Sequence, residues 1–342
     1  MAPAAMQTFR CTCGARIFFE NTRCLRCEHE LGFLPDVLTL IPLEPNGTGE
    51  SQTPHGAFRK CSNYVDHGVC NWMVPSGAAN NALCQACQLN HVIPDLSQPA
   101  NRALWSEVEK SKRRLLYTLE RLKLPLQSKQ QDPEHGLAFD IMADAGSTRV
   151  LTGHDDGLIT LNLAEADPAE REKMRLAMKE GYRTMLGHFR HEIGHYYWDR
   201  LVRGTSNIAR FRELFGDETV NYAESLQRHY ATKRSDFAES FISAYAAAHP
   251  WEDFAETFAH YLHIEDTLET AHDFGISFPA NSATGKAPEI TEFDLRMGQW
   301  AHLTVALNAL NRSMGLLDAY PFAISPVVNA KIEFVHLLIT NR

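Results

Sequence analysis

The chain has 342 residues, 44% hydrophobic and 22% charged, with a formal net charge of −9. That length buries at least one large core and divides into two or three units of a soluble globular protein. No run of eighteen apolar residues offers a membrane span, and the start "MAPAAMQTFRCTCG" has neither the basic nor the apolar region of a secretory leader, so the expected compartment is the cytoplasm. The charge is uneven, about +3 over residues 1–130 and −12 over 131–342. The acidic half argues against a long phosphate-binding surface there, while the basic half leaves nucleic acid open as a partner without indicating it.

All eight cysteines precede residue 88, in two groups of four. Thiol pairs at this spacing in a reducing compartment grip zinc, because two thiolates on one knuckle reach a tetrahedral ion at about 2.3 Å. The first group is Cys11, Cys13, Cys24 and Cys27, with Gly14 turning the first knuckle and "RIFF" as strand. The second is Cys61, Cys70, Cys84 and Cys87, with His67 or His91 as substitute ligands. Disulfides are the rival reading and do not suit a leaderless chain. A ribbon this small cannot bury enough apolar surface to fold alone, so the zinc is a folding staple, and the module docks a protein or nucleic-acid partner.

"PNGTGESQTPHG", residues 45–56, reads as the linker between the two cysteine modules. "NRALWSEVEKSKRRLLYTLERLKLP" then places Leu104, Val108, Leu115, Leu119 and Leu122 at helical spacing and stops at Pro125. Its run "KSKRR" is expected on a solvated face, with an acidic partner as the alternative. "GLAFDIMAD" and "GLITLNLAEAD", separated by "GHDDG", read as strands of a small sheet.

From Asp167 as N-cap and Pro168 in the first turn, residues 167–202 read as one long helix with Met174, Met178, Tyr182, Met185 and Phe189 as its buried stripe. It carries His191-Glu192-x-x-His195. Two histidines four apart project from one face and can share an ion, and Glu192 is turned toward a water on that ion. A catalytic zinc needs a third protein ligand and an open fourth position. Trp198 and Leu201 stand where the longer form of the motif has glycine and a third histidine. The third ligand is therefore sought in "AYAAAHPWEDFAETFAHYLHIED", where Trp251, Phe254, Phe258 and Tyr261 mark the packed face of a helix begun at Pro250. Glu252, Glu256, His260 and His263 line another face, which by spacing alone equally suits a wet surface.

With these motifs the chain resembles the gluzincin zinc peptidases, whose third ligand is a downstream glutamate. "YAAAHPWEDFAETF" is similar to the corresponding stretch of the Mlc titration factor peptidases and of the anthrax lethal factor peptidase domain. Nearly the whole chain resembles the bacterial zinc-binding metallopeptidase family with an N-terminal zinc ribbon, through "FRCTCGARIFFENTRCLRC", "HFRHEIGHYYWD", "HPWEDFAETFAHYLHI" and "LNALNRSMG". The resemblance implies Glu252 as third ligand, Tyr245 as donor to the transition-state oxyanion and Glu256 as the carboxylate that orients a ligand histidine. Glu256 stands where the thermolysin form has an aspartate. Glu192 is then the base that takes a proton from water and returns it to the leaving amine. The strand "GLITLNL" is expected to offer an edge to an extended peptide.

The remaining histidines have plainer roles: His260 and His263 structural, with His260 the reserve ligand, and His188 beside the Glu192 face. Residues 203–235 form a wall or a lid, and helices in "APEITEFDLRMGQWAHLTVALNALNRSMG" and "SPVVNAKIEFVHLLIT" cover the catalytic helices. The expected fold is α+β: a zincin-like, mostly helical metallopeptidase domain with a small β-sheet, behind two zinc-ribbon-like four-cysteine modules. The expected division is 1–45 zinc ribbon, 46–98 second four-cysteine zinc-binding module, 99–130 connecting helix and 131–342 metallopeptidase domain. The expected function is a zinc-dependent peptidase with about three zinc ions, one catalytic and two structural, acting on a peptide or protein substrate without a membrane. The alternative is a non-catalytic zinc-binding adaptor, attached to nucleic acid, that keeps the zincin shell as scaffold.

Overall fold

The computed structural model describes residues 8–44, 50–144, 149–178, 183–231, 237–278 and 291–341. Compactness gathers the chain into two units, residues 1–178 with 184–189, and residues 179–183 with 190–342. Among the described residues no helix is long and apolar enough to cross a membrane.

The first unit holds all eleven strands found among the described residues. Strands β1 (Phe9–Arg10) and β2 (Arg16–Ile17) pair antiparallel across the first knuckle, where Gly14 takes φ +81°. β3 (Leu31–Leu34) and β4 (Thr39–Pro42) form a hairpin, and β5 (Glu50–Thr53), β6 (Gly56–Lys60) and β7 (Met73–Pro75) form a three-stranded meander. The linker reading of residues 45–56 is thus corrected in its second half, which pairs as β5 and the start of β6. Residues 45–49 lie outside the described ones.

Short helices α1 (Ser62–Val65) and α2 (Gln85–Gln88) start directly after Cys61 and Cys84, α2 contains Cys87, Cys70 lies between them, and α3 (Pro99–Arg121) follows. Val108, Leu115 and Leu119 are buried, as their spacing requires. The run "KSKRR" departs from expectation: Lys112 and Arg113 are buried. Lys112 Nζ donates to Glu109 Oε1 at 2.8 Å and also to Asn90, and Arg113 donates to the Val69 carbonyl. A buried Glu109 supplies the countercharge that solvent was expected to replace. The core beside this helix is aromatic, with Phe33 4.9 Å from Phe19 and 5.2 Å from Trp72.

The four-stranded sheet runs β10 (Gly153–Asp155), β11 (Leu158–Asn162), β9 (Ala138–Met142), β8 (Asn90–Val92). β9 and β11 are the two strands read from sequence. β11 pairs with β10 on one side and β9 on the other, so "GLITLNL" is not an edge. Its ladder donors are already taken, which removes it as a place for an added peptide strand.

The long helix of residues 167–202 is also corrected, to two. α4 (Pro168–Met178) starts as expected, with Asp167 Oδ1 accepting from Ala169 N at 2.7 Å. α5 (Met185–Leu201) has its own start, Thr184, whose Oγ1 accepts from Gly187 N at 2.9 Å. A second capping side chain means a second set of free helical N–H groups, hence a break. Of the expected stripe, Met185 and Phe189 are buried and Met174 is half-buried. Tyr182 and the Met178 side chain fall outside the described part.

The regular structure among the described residues of the second unit is helical: the rest of α5, then α6 (Ile208–Phe215), α7 (Tyr222–Ala231), α8 (Pro250–Asp273), α9 (Glu292–Ser313) and α10 (Pro326–Thr340). α8 is central and buried nearly all round, so its polar face is not a wet surface. Phe211, Phe215, Phe254 and Phe258 form its aromatic core with α6. Charges entering this interior are paired: Lys331 with Asp253 at 2.6 Å, and Arg190 with Asp266 at 2.5 Å. Burial nonetheless pushes the Asp253 carboxyl up to about 7 against the pull of Lys331. α10 is capped by Ser325 and covers α8 as expected, whereas α9 buries Phe293, Trp300 and Leu303 and leaves Val305, Leu310 and Met314 exposed. The α+β class, with a mostly helical second part and two four-cysteine modules ahead of it, is what the sequence led us to expect.

Candidate metal centre

Within the second unit, α5 and α8 approach closely at Gly194, the residue just before His195. A Cβ there would stand 2.9 Å from Ala255 Cα and 3.0 Å from the Ala255 oxygen. The missing side chain lets the two ligand-bearing helices touch. α8 begins sharply because His249 is extended, its Nδ1 accepts from Trp251 N at 3.1 Å, and Pro250 occupies the first turn. That start puts Glu252 in the first turn, where the helix dipole favours an anion.

His191 Nε2 lies 3.0 Å from Glu252 Oε2 and 3.1 Å from His195 Nε2, and His195 Nε2 lies 3.4 Å from the same carboxylate oxygen. These approach the corner spacing of about 3.3–3.4 Å in a tetrahedral site with bonds of about 2.0–2.1 Å, two of them falling a little short of it. Glu252 Oε2 is buried without a hydrogen-bond partner. His191 Nδ1 donates to Glu256 Oε1 at 2.8 Å, so the neutral ring keeps its lone pair on Nε2, facing the other two atoms. Three converging electron-rich atoms call for a cation. Burial alone would lower the proton affinity of His191, but Glu252 and Glu256 override it and raise it well above the usual range, a demand for positive charge that a divalent ion meets. Burial would likewise raise Glu252, but the two histidines hold its carboxyl far below the ordinary carboxylate range. The donor set, spacing and orphaned oxygen all fit zinc.

Around these three, Glu256 is fixed on its other oxygen by Ser243 Oγ at 2.6 Å; burial is outweighed by His191, and its carboxyl sits at about 2. Trp251 stacks on His195 with ring centroids 3.6 Å apart. Tyr245 lies on a 3₁₀ turn, Tyr245–Ala248, with its ring 5.8 Å from that of His191. Burial, then the charge of Glu252, pushes its phenol far above the usual value, so it stays a donor. Glu192 is buried and is not one of the three converging groups.

The three remaining histidines of the sequence reading, His260, His263 and His188, are not among the converging groups. His260 Nδ1 shares a hydrogen bond with the Tyr320 hydroxyl at 2.7 Å, and His263 packs near Trp300 and Tyr320. His188 is paired with Glu165 in the first unit. The stretch 203–235 supplies α6 and α7, and α7 opens on Tyr222, whose hydroxyl donates to Glu252 Oε1 at 2.5 Å. Tyr222 and Ser243 were missed by sequence reading, because neither sits in a motif or at a helical offset from the ligands. His249 left a trace, a polar residue directly before a proline at a helix start.

The cysteine groups close as predicted. Cys11 Sγ is 3.4 Å from Cys27 Sγ, Cys13 is 3.7 Å from Cys24, and Cys70 is 3.7 Å from Cys84. These match the roughly 3.8 Å corner spacing of a four-thiolate zinc and are far beyond the bond of a disulfide, about 2.05 Å. Backbone donors from Cys27 and Arg26 lower the Cys24 thiol to about 6. His91 pairs with Asp140 and His67 packs on Trp105, so neither replaces a thiolate.

Comparison with known proteins agrees with these centres. A family model described as "Putative zinc-binding metallo-peptidase" matches residues 101–338, and a zinc-ribbon domain model matches residues 8–98. Proteins from Mycobacterium bovis and from two strains of Mycobacterium tuberculosis, each described as uncharacterized, are 42% identical over 339 residues, covering 98% of this chain and 95% of theirs. No solved structure matches the chain. With more than half its length matched by the family model, and with its cysteine and histidine–glutamate clusters in place, the chain belongs to this zinc-binding metallo-peptidase family and carries a zinc-ribbon domain ahead of it.

Proposed function

We propose that the protein is a gluzincin-type zinc peptidase, and the observation that carries this is the convergence of His191 Nε2, His195 Nε2 and the orphaned Glu252 Oε2 next to a buried Glu192. Bound zinc supplies Lewis acidity at this point and brings the ionisation of a water into the neutral range. Glu192 is the base: it takes the proton of the attacking water and delivers it to the leaving amine nitrogen. Tyr245 donates its phenolic hydrogen to the oxyanion that develops on the scissile carbonyl. Glu256 keeps the His191 Nδ1 proton in place and so presents the Nε2 lone pair inward.

Three zinc ions per chain fit the donor sets, one of them catalytic and two as folding staples of the cysteine modules. Eight cysteines gathered as two four-sulfur donor sets rather than disulfides suit a reducing cytoplasm. The ribbon exposes Leu25 and Phe18 beside Arg23 and Arg26, a tip suited to docking a protein substrate or partner. The test is digestion of a peptide library by wild type and Glu192→Gln, read by mass spectrometry. We expect cleavage by wild type only, with metal content equal in both. Equal cleavage by both proteins, or by neither with zinc fully loaded, is incompatible with the proposal.

A further inference from the structure

Glu252 has two oxygens with different neighbours. Oε2 faces the two histidine nitrogens, and Oε1 accepts from Tyr222 at 2.5 Å. The tyrosine is itself held: its ring centroid is 5.2 Å from that of His249 and 5.9 Å from that of Trp251, and His249 Nε2 donates to the nearby Val220 carbonyl at 3.1 Å. Trp251 in turn covers His195. These contacts set the partly exposed tyrosine against the start of α8, with its hydroxyl on the carboxylate.

A carboxylate with both oxygens free can chelate a cation through both or swing between them. A donor fixed on one oxygen engages one of its two lone pairs and sets the rotation of the carboxylate, which favours the other oxygen as the ligand atom. Resting on the reading of Glu252 as a zinc ligand, we propose that Tyr222 is a positioning residue that holds Glu252 in one-oxygen ligation, Oε2 toward the metal and Oε1 toward the phenol.

The test uses the full chain as wild type, Tyr222→Phe and Glu252→Ala. Phenylalanine keeps the ring against His249 and Trp251 and removes only the hydroxyl. In competition with a mild chelator that leaves the thiolate sites loaded, Tyr222→Phe should hold its third zinc about 10–100-fold more weakly, the usual loss for an outer partner of a ligand. After cobalt(II) is loaded at that site alone, its visible absorption should weaken as the second carboxylate oxygen enters and the coordination number rises. Unchanged affinity overturns the proposal. So does weaker binding with an unchanged cobalt spectrum, because the hydroxyl would then not control the ligation mode. Zinc-edge absorption on wild type, which depends on no variant, should show one carboxylate oxygen at bonding distance, and two would overturn it. Retention of the third zinc by Glu252→Ala would instead remove the site reading beneath it and leave Tyr222 nothing to position.

Discussion

Replacing Gly194 with alanine adds one methyl group where α5 and α8 cross. The new carbon would lie 2.9 Å from Ala255 Cα, 3.0 Å from the Ala255 oxygen and 3.2 Å from Phe258 Cβ. Ordinary carbon contacts are about 3.5–4.0 Å, so the helices must part by roughly half an ångström or more, and two of the three short contacts are to backbone that cannot rotate away. Overpacking of this kind costs about 1–3 kcal/mol, against a gain of about 1 kcal/mol from the better helix propensity of alanine. The net loss of stability is small, about 0–2 kcal/mol. The metal is hit harder: His191 and His195 ride on one helix and Glu252 on the other, and zinc ligation tolerates only about 0.2 Å of error. We expect Gly194→Ala to fold, to melt at or slightly below the wild-type temperature, and to release its third zinc to a chelator at least tenfold more readily. Thermal unfolding and chelator competition read the two effects separately. A variant that melts higher and holds zinc as tightly as wild type would refute the argument that close approach at Gly194 assembles the site.

The other predictions concern the neighbouring carboxylates and a buried histidine. Glu252→Ala should lose the third zinc and all hydrolysis, while Glu256→Ala, which removes only the partner of His191 Nδ1, should weaken zinc or activity by about 10–100-fold; the reverse ranking in a zinc-affinity measurement would make Glu256 the ligand. Burial, reinforced by Arg190 and opposed by Glu256, pushes His260 down to about 4 from an ordinary 6.5. The unfolded chain then binds more protons between those values, so this contribution is complete above pH 6.5 and disappears as the pH falls toward 4, up to an order of 2–3 kcal/mol. Denaturant midpoints at pH 7.5 and 5 should differ less in His260→Gln, which keeps an acceptor for Tyr320, than in wild type; an identical pH slope would contradict this.

The legible parts of this protein are those whose chemistry is local. Cysteine spacing announced two four-thiolate centres, and a four-residue histidine offset announced a shared face, because both ligands of each pair lie on one knuckle or one helix. Capping residues at Asp167 and Ser325 marked helix starts correctly. Pairing across the chain was less visible. The break before α5 turns on Thr184, an ordinary residue inside an unbroken apolar pattern, and β11 became an inner strand because β10 formed from "GHD", which reads as a turn. Lys112 and Arg113 look solvated in sequence: Glu109 stands one helical turn before them, but nothing local reveals that this face is buried or that Asn90 and the Val69 carbonyl await them. Tyr222 reaches Glu252 from thirty residues away, at no helical offset from any ligand.

Zinc held by His191, His195 and Glu252 can be seen directly. Crystals of the full chain grown with zinc and measured on both sides of its absorption edge locate every zinc. Three anomalous peaks per chain are expected, one in each cysteine group and one at about 2.0–2.2 Å from His191 Nε2, His195 Nε2 and Glu252 Oε2. Peaks in the cysteine groups with none between the histidines, or a third peak bonded to Glu256 in place of Glu252, would contradict that ligand set.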